Sequence, residues 1–111
     1  MADAAVVESV QNYLHAVVEK GIPVRFGVLY GSYAKGTEHK WSDIDLLVFS
    51  PIYDDVEQRT HKNWADLWVI AAHTDARIEP IPVGEKQYQE GDSSLLIEIA
   101  RREGQIIPLA E

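Results

Sequence analysis

Cysteine is absent from this 111-residue sequence, which excludes disulfide bonds and thiolate metal sites. A chain without cysteine fits a reducing compartment, and we expect the protein to be cytoplasmic. Residues 1–5 contain neither the basic cluster nor the long apolar core that a secretory signal requires. No apolar run approaches the roughly 20 residues that span a bilayer, so we expect no association with a membrane.

Positive charge is also scarce. Ten Lys and Arg residues face eighteen Asp and Glu residues, giving a net charge of −8. A protein that binds nucleic acid nonspecifically needs clustered cations to replace the counterions on phosphate, and the sequence has no such cluster. We therefore do not expect nucleic acid as a partner. The length suits one hydrophobic core, and there is no repeat or linker, so residues 1–111 are predicted to form a single domain.

The hydrophobic pattern predicts an α/β fold with a mixed β-sheet flanked by helices. One predicted helix begins near Asp54, with Glu57 as its reciprocal capping partner. Spacings of three and four predict that this helix buries Trp64, Leu67, Trp68 and Ala71. The other predicted helices cover residues 3–20, 31–36 and 93–103, and the predicted strands cover residues 24–30, 44–49, 77–82 and 105–109.

Two acidic residues stand out at the start of the second apolar strand. Side chains alternate along a strand, so Asp43 and Asp45 lie on one face, roughly 6.5–7 Å apart. Their repulsion costs about 2.5 kcal/mol at an effective dielectric constant of ~20. A bound cation would remove that cost. Mg²⁺ prefers oxygen ligands and is held by one or two carboxylates together with substrate phosphates. The pair therefore predicts a magnesium site.

A glycine and a serine follow the first apolar strand. Gly31 and Ser32 close the strand at residues 24–30 and open a short helix. Such a turn offers free backbone N–H groups and a hydroxyl, which are the groups that bind phosphate. A phosphate site and a metal site are thus predicted within one short stretch of the chain.

The arrangement of these motifs resembles the nucleotidyltransferase superfamily that includes DNA polymerase β. Gly31-Ser32, the ten residues 33–42 and Asp43-Ile44-Asp45 fit the signature of that superfamily without insertion or deletion. The chain is similar to the minimal nucleotidyltransferases of bacteria and archaea, and the resemblance covers residues 24–109. It implies the nucleotidyltransferase fold, Mg²⁺ (two ions), and transfer of AMP from ATP, or of another nucleotide, to a hydroxyl.

The resemblance also implies a third carboxylate on the strand after Asp-x-Asp, commonly an aspartate. Here Glu79 fills that place, as metal ligand and as general base toward the acceptor hydroxyl. Asp75 is the competing candidate, although it precedes the strand at residues 77–82. The alternative for Glu79 is an exposed ion pair with Arg77 or Lys35.

The superfamily signature assigns Gly31 and Ser32 to the β- and γ-phosphates, and Lys35 is a candidate to neutralise a phosphate. Thr37 is a further candidate for the triphosphate. Trp41 and Tyr33 either stack on the nucleotide base or pack within the domain.

Minimal nucleotidyltransferases often accompany a helical partner protein of the HEPN type, and in several pairs they resemble antitoxins that transfer AMP to a tyrosine of the toxin. The resemblance thus implies a HEPN-type partner, with a homodimer as the other source of an acceptor. The remaining alternatives are an antitoxin-like interaction protein and a nucleotide-binding relative with weakened catalysis, of which Glu79 would be the symptom.

Two prolines make a prediction about the third strand. Pro80 and Pro82 lack an N–H, and residues two apart direct this group to the same side of a strand. The strand should therefore lie at an edge of the sheet, with Glu79 and Ile81 on its paired side.

Overall fold

In the computed structural model, the described residues are 2–36, 42–54, 61–84, 98 and 102–109; for residues 32, 35 and 61–63 only the backbone is described. The elements are α1 (Ala4–Glu19), β1 (Phe26–Tyr30), α2 (Ser32–Lys35), β2 (Ile44–Phe49), a 3-10 helix (Pro51–Asp54), α3 (His61–Thr74), β3 (Ile78–Val83) and β4 (Gln105–Pro108). All four predicted strands are present, whereas most of the predicted helix at 93–103 lies outside the described residues. No helix in the described ranges combines the length and apolarity needed to cross a membrane.

The four strands form one mixed sheet in the order β3-β2-β1-β4. β1 is antiparallel to both β2 and β4, while β2 and β3 are parallel. β1 and β2 lie in the centre, which explains why their sequences are apolar on both faces. The predicted α/β fold with a mixed sheet is confirmed.

The first helix packs against one face of this sheet through an apolar stripe. Asp3 caps α1 by accepting a hydrogen bond of 3.0 Å from the Val6 N–H. The stripe then buries Val10, Leu14 and other residues at spacings of three and four. The Tyr13 hydroxyl, which lies in the same stripe, donates to the Leu67 carbonyl oxygen at 3.0 Å and joins α1 to α3.

The third helix corrects one sequence prediction. Leu67 and Ala71 of α3 are buried, whereas Trp64 and Trp68 are each 42% exposed. The burial predicted for Leu67 and Ala71 is confirmed, and the burial predicted for the two tryptophans is wrong. Periodicity placed all four residues on one face of the helix, and only the packing of α3 decides which part of that face points inward. Trp64 lies beside β3, where its indole N–H donates to the Pro80 carbonyl oxygen at 3.1 Å.

The predicted start of this helix is only partly described. Asp54 ends the 3-10 helix, and its expected capping partner Glu57 lies outside the described residues. The description of α3 starts at His61.

The third strand occupies the predicted edge position. Among the described strands, β3 has β2 as its single neighbour. The Ile44 N–H donates to the Arg77 carbonyl oxygen at 2.8 Å, so the odd-numbered residues of this segment direct their backbone groups toward β2. Pro80 and Pro82 therefore present their missing N–H groups to the outer edge, as predicted. The same parity places Glu79 on the paired side.

Candidate active site

Three carboxylates meet where β2 and β3 run side by side. Asp43 precedes β2 and is exposed, while Asp45 is the second residue of β2 and is half-buried. Glu79 lies directly opposite Asp45 in the parallel ladder. Beyond the effect of burial, the charges of both aspartates raise the pKa of Glu79, so the three carboxylates lie within interaction distance of one another. The structure thus brings together all three acids named from the sequence.

Two of the three carboxylates, Asp45 and Glu79, have raised pKa values. Burial raises the pKa of Asp45, the charge of Asp43 raises it further, and the hydrogen bond with Glu79 offsets part of the effect. Burial also raises the pKa of Glu79, and the charges of Asp43 and Asp45 add to that rise. A cluster of this kind keeps a proton or binds a cation, and perturbed carboxylates of this kind concentrate at functional sites.

A buried tyrosine closes one side of the acidic cluster. Tyr30, the last residue of β1, is paired with Asp45 across the antiparallel ladder. Burial, followed by the charges of Asp45 and Glu79, raises the pKa of Tyr30 to about 12. The ring belongs to a buried apolar cluster with Leu47 and Phe49 on this face of the sheet. Sequence reasoning missed Tyr30, although its place directly before Gly31 was an available signal.

The glycine of the Gly-Ser turn lies against one of the carboxylates. Gly31 has a φ of +74°, and a Cβ at this position would overlap Asp45 Oδ2. Only glycine combines this left-handed backbone with so close an approach. The turn predicted to bind phosphate is therefore adjacent to the acids predicted to bind metal.

The other predicted phosphate-binding residues follow directly in α2. Ser32 and Lys35 are its first and last residues, and only their backbone is described. Tyr33 is 5% exposed and packs in the core cluster, which favours packing over base stacking. The candidates Thr37 and Trp41 lie outside the described residues.

The competing acid has a different role. Asp75 accepts hydrogen bonds from two nitrogens of the Arg77 guanidinium, Nη2 at 2.6 Å and Nε at 3.0 Å. These contacts lower the pKa of Asp75. The third carboxylate of the cluster is therefore Glu79. As for the alternative, the ion pair that Arg77 makes in the described residues is with Asp75, and the side chain of Lys35 lies outside the description.

The donor set fits a hard divalent cation. Three carboxylates offer the oxygen ligands that Mg²⁺ prefers, and a cation would relieve their mutual repulsion. In the part of the chain that the structure describes, no three His, Cys, Asp or Glu side chains are spread around a preformed metal position.

Comparisons with known proteins agree with this geometry. The profile of the nucleotidyltransferase domain family matches residues 10–100. A toxin–antitoxin complex with AMP-PNP contains a similar chain, with 21% identity and a TM-score of 0.61, covering 91% of this chain and 74% of that one.

Two further solved structures are similar. An MntA–HpeT toxin–antitoxin complex carrying two Asp-to-Glu substitutions, two positions apart, shows 19% identity and a TM-score of 0.60, covering 91% of this chain and 74% of that one. A candidate nucleotidyltransferase from Sulfolobus solfataricus shows 12% identity and a TM-score of 0.60, covering 90% of this chain and 77% of that one. No curated protein matches the chain. At these identities the similarity establishes the fold.

Proposed function

Because the chain belongs to the nucleotidyltransferase domain family, we propose that it transfers AMP from ATP to a hydroxyl group on a partner protein. Nucleotidyl transfer is the general chemistry of the family. Our proposal goes further and specifies the donor, the metal, the acceptor and the residues that act on them.

One observation carries the proposal above the others. Asp45 is paired with Glu79 in the parallel ladder, and its Oδ2 occupies the space that a Cβ on Gly31 would need. A triphosphate bound at the turn would therefore lie beside the carboxylates, which is the arrangement that phosphoryl transfer requires.

Asp43, Asp45 and Glu79 would hold Mg²⁺ in the proposed site. Bound there, the metal would neutralise the carboxylates, offset negative charge on the triphosphate and lower the pKa of the acceptor hydroxyl.

The protein's own residues position the reactants and receive the proton. Gly31, Ser32 and Lys35 bind the β- and γ-phosphates. The acceptor oxygen attacks the α-phosphorus in line, a new P–O bond forms, and the bond to pyrophosphate breaks. Glu79 accepts the proton of the acceptor hydroxyl, which is the role that the superfamily resemblance implies for the third carboxylate.

The choice of donor and acceptor draws on the solved complexes and on the charge of the chain. One similar chain belongs to a toxin–antitoxin complex with AMP-PNP, an analogue of ATP. The net charge of −8 disfavours a nucleic-acid acceptor. We therefore assign the acceptor to a tyrosine of a HEPN-type partner, with a second copy of this chain as the other source of a hydroxyl.

The test is modification of the partner by mass spectrometry. The protein is incubated with ATP, Mg²⁺ and a candidate HEPN-type partner, and the partner should gain AMP. Asp45→Asn should abolish the gain, whereas Glu19→Gln, which changes an exposed acid at the end of α1, should not. An unmodified partner alongside a nucleotide-bearing metabolite or RNA end would refute this acceptor.

An antitoxin that works by binding alone is the second candidate, and Glu79 in place of the usual aspartate is the observation that favours it. In that case the partner co-purifies and is neutralised, yet no AMP is added by the wild-type protein. Glu79→Asp then distinguishes weak transfer activity from none. Restoring the common aspartate should raise the rate of AMP transfer if the wild-type protein has residual activity.

The phosphate role of Ser32 has its own test. Ser32→Ala should weaken binding of ATP more than binding of AMP, because its hydroxyl is assigned to the distal phosphates. A lost hydrogen bond to a charged group costs about 1.5–3 kcal/mol. Equal losses for the two nucleotides in calorimetry would leave Ser32 as a helix cap.

A further inference from the structure

One arginine connects the parts of the candidate site without belonging to its carboxylate cluster. The Arg77 carbonyl oxygen accepts a hydrogen bond of 2.8 Å from the N–H of Ile44, the middle residue of Asp-x-Asp. Arg77 Nη1 donates to the Tyr33 hydroxyl at 3.4 Å, and Tyr33 is the second residue of α2. Glu79 follows Arg77 by two residues on the same segment.

The guanidinium is fixed in this orientation by its neighbour in sequence. Asp75 Oδ2 accepts from Nη2 at 2.6 Å, and Asp75 Oδ1 accepts from Nε at 3.0 Å and from the Arg77 backbone N–H at 3.0 Å. Because the guanidinium is planar, binding of its Nε and Nη2 by Asp75 fixes the direction of the remaining nitrogen, Nη1. Here that nitrogen reaches the tyrosine, and the guanidinium carbon lies 5.9 Å from the centre of the Tyr33 ring.

Both ends of this connection are anchored. Tyr33 is 5% exposed and packs within the main core cluster, so its ring cannot shift without disturbing that core. The Asp75 side chain is 13% exposed, and after its contacts with Arg77 the neighbouring Ser9 of α1 also helps to lower its pKa. The contacts from Asp75 through Arg77 to Tyr33 thus tie α1, the start of β3 and α2 together.

We propose that Arg77 is a positioning residue that holds α2, and with it the Gly31-Ser32 turn, in register with the carboxylates of β2 and β3. The inference rests on the proposed function, since it concerns where a triphosphate meets those carboxylates. Arg77 acts through the tyrosine and the backbone, and its fork is already committed to Asp75.

A direct contact between Arg77 and the triphosphate makes a different prediction. Tyr33→Phe keeps the guanidinium and its charge but removes the hydroxyl that Nη1 reaches. A phosphate-binding arginine would tolerate that change or gain from it, because one of its nitrogens would be released. A positioning arginine would lose its contact with α2, and AMP-PNP binding should weaken.

Calorimetry with Mg²⁺ and AMP-PNP, compared with AMP, tests the proposal. Arg77→Lys keeps the charge without the fork, and Tyr33→Phe keeps the ring without the hydroxyl. Each should weaken AMP-PNP binding by roughly three- to tenfold while AMP binding stays unchanged. The double variant should bind AMP-PNP no more weakly than the single variant with the lower affinity, because both substitutions break the same contact between Arg77 and Tyr33.

Tyr13→Phe is the matched control, since it removes a buried tyrosine hydrogen bond between α1 and α3. It should lower Tm and leave the preference for AMP-PNP over AMP intact. Wild-type affinity in Arg77→Lys and Tyr33→Phe, or equal losses for AMP-PNP and AMP, would overturn the positioning role alone. A wild-type protein that binds no AMP-PNP with Mg²⁺ would overturn the proposed function and this inference together.

Discussion

Two pairs of charged residues at the same end of the sheet have opposite electrostatics. Asp45 faces Glu79, and both have raised pKa values because they are buried beside like charges. Asp75 faces Arg77, whose hydrogen bonds lower its pKa. In the pair Asp75 and Arg77 the opposite charges stabilise each other. In the pair Asp45 and Glu79 the like charges repel, and a bound proton or cation would remove that repulsion. We therefore propose that the carboxylate pair binds a ligand and that the neighbouring ion pair supports its position.

Forcing the Gly-Ser turn away from the carboxylates should have the largest effect. Gly31→Ala places a Cβ on Asp45 Oδ2 at a backbone φ of +74°. The left-handed conformation alone costs roughly 1–2 kcal/mol for a residue with a side chain, and the overlap adds to it. Gly36→Ala, with the same φ but nothing near its Cβ, is the control for backbone strain alone. Equal losses of unfolding free energy in the two variants would show that the turn does not press on Asp45.

Removing the charge of Asp75 should destabilise the protein. Asp75→Asn loses charge-assisted hydrogen bonds with Arg77, and the loss should be about 1 kcal/mol because the arginine is half-exposed. Urea unfolding without metal measures it. A stability equal to that of the wild-type protein would mean that the pair does not support the fold.

The same substitution at Asp45 should have the opposite sign. Without metal, Asp45→Asn relieves the repulsion from Asp43 and Glu79, and a gain of roughly 0.5–1 kcal/mol is expected for like charges directly opposite in a sheet. A loss of stability in this variant would remove the distinction between the two pairs.

The smallest expected effect is on the pH dependence of unfolding without metal. In this measurement the two pairs should contribute with opposite signs. Asp45 and Glu79 have raised pKa values, so the folded state binds more protons, and stability should fall as pH rises through those values. Asp75 has a lowered pKa, so its contribution should be lost as pH falls from the ordinary carboxyl range toward that value. Asp75→Asn should reduce the loss of stability at acidic pH, and Asp45→Asn should reduce the loss as pH rises. The opposite result for the two variants would contradict the difference between the two pairs.

Local patterns predicted the site's principal acids because those patterns reflect backbone geometry. Alternation placed Asp43 and Asp45 together, and the parity of Pro80 and Pro82 placed Glu79 beside them. The confirmed family resemblance rested on the same short segments.

Contacts between distant segments could not be read in this way. The bond from Arg77 to Tyr33 joins residues 44 positions apart, and the sequence offers no periodicity for it. Trp64 and Trp68 were misplaced because periodicity placed them on the same face of the helix as the buried pair Leu67 and Ala71. The role of Asp75 likewise became visible only once its partner was known.

Thermal unfolding with Mg²⁺ and ATP tests the carboxylate site most directly. Ligands that bind only the folded state stabilise it by about 2.7 kcal/mol at a hundredfold excess over Kd. For a domain of this size we expect Tm to rise by roughly ten degrees or more. Asp45→Asn should lose most of that rise, and Glu19→Gln should keep it. Unchanged melting curves with Mg²⁺ and every nucleotide tried would contradict the assignment of Asp43, Asp45 and Glu79.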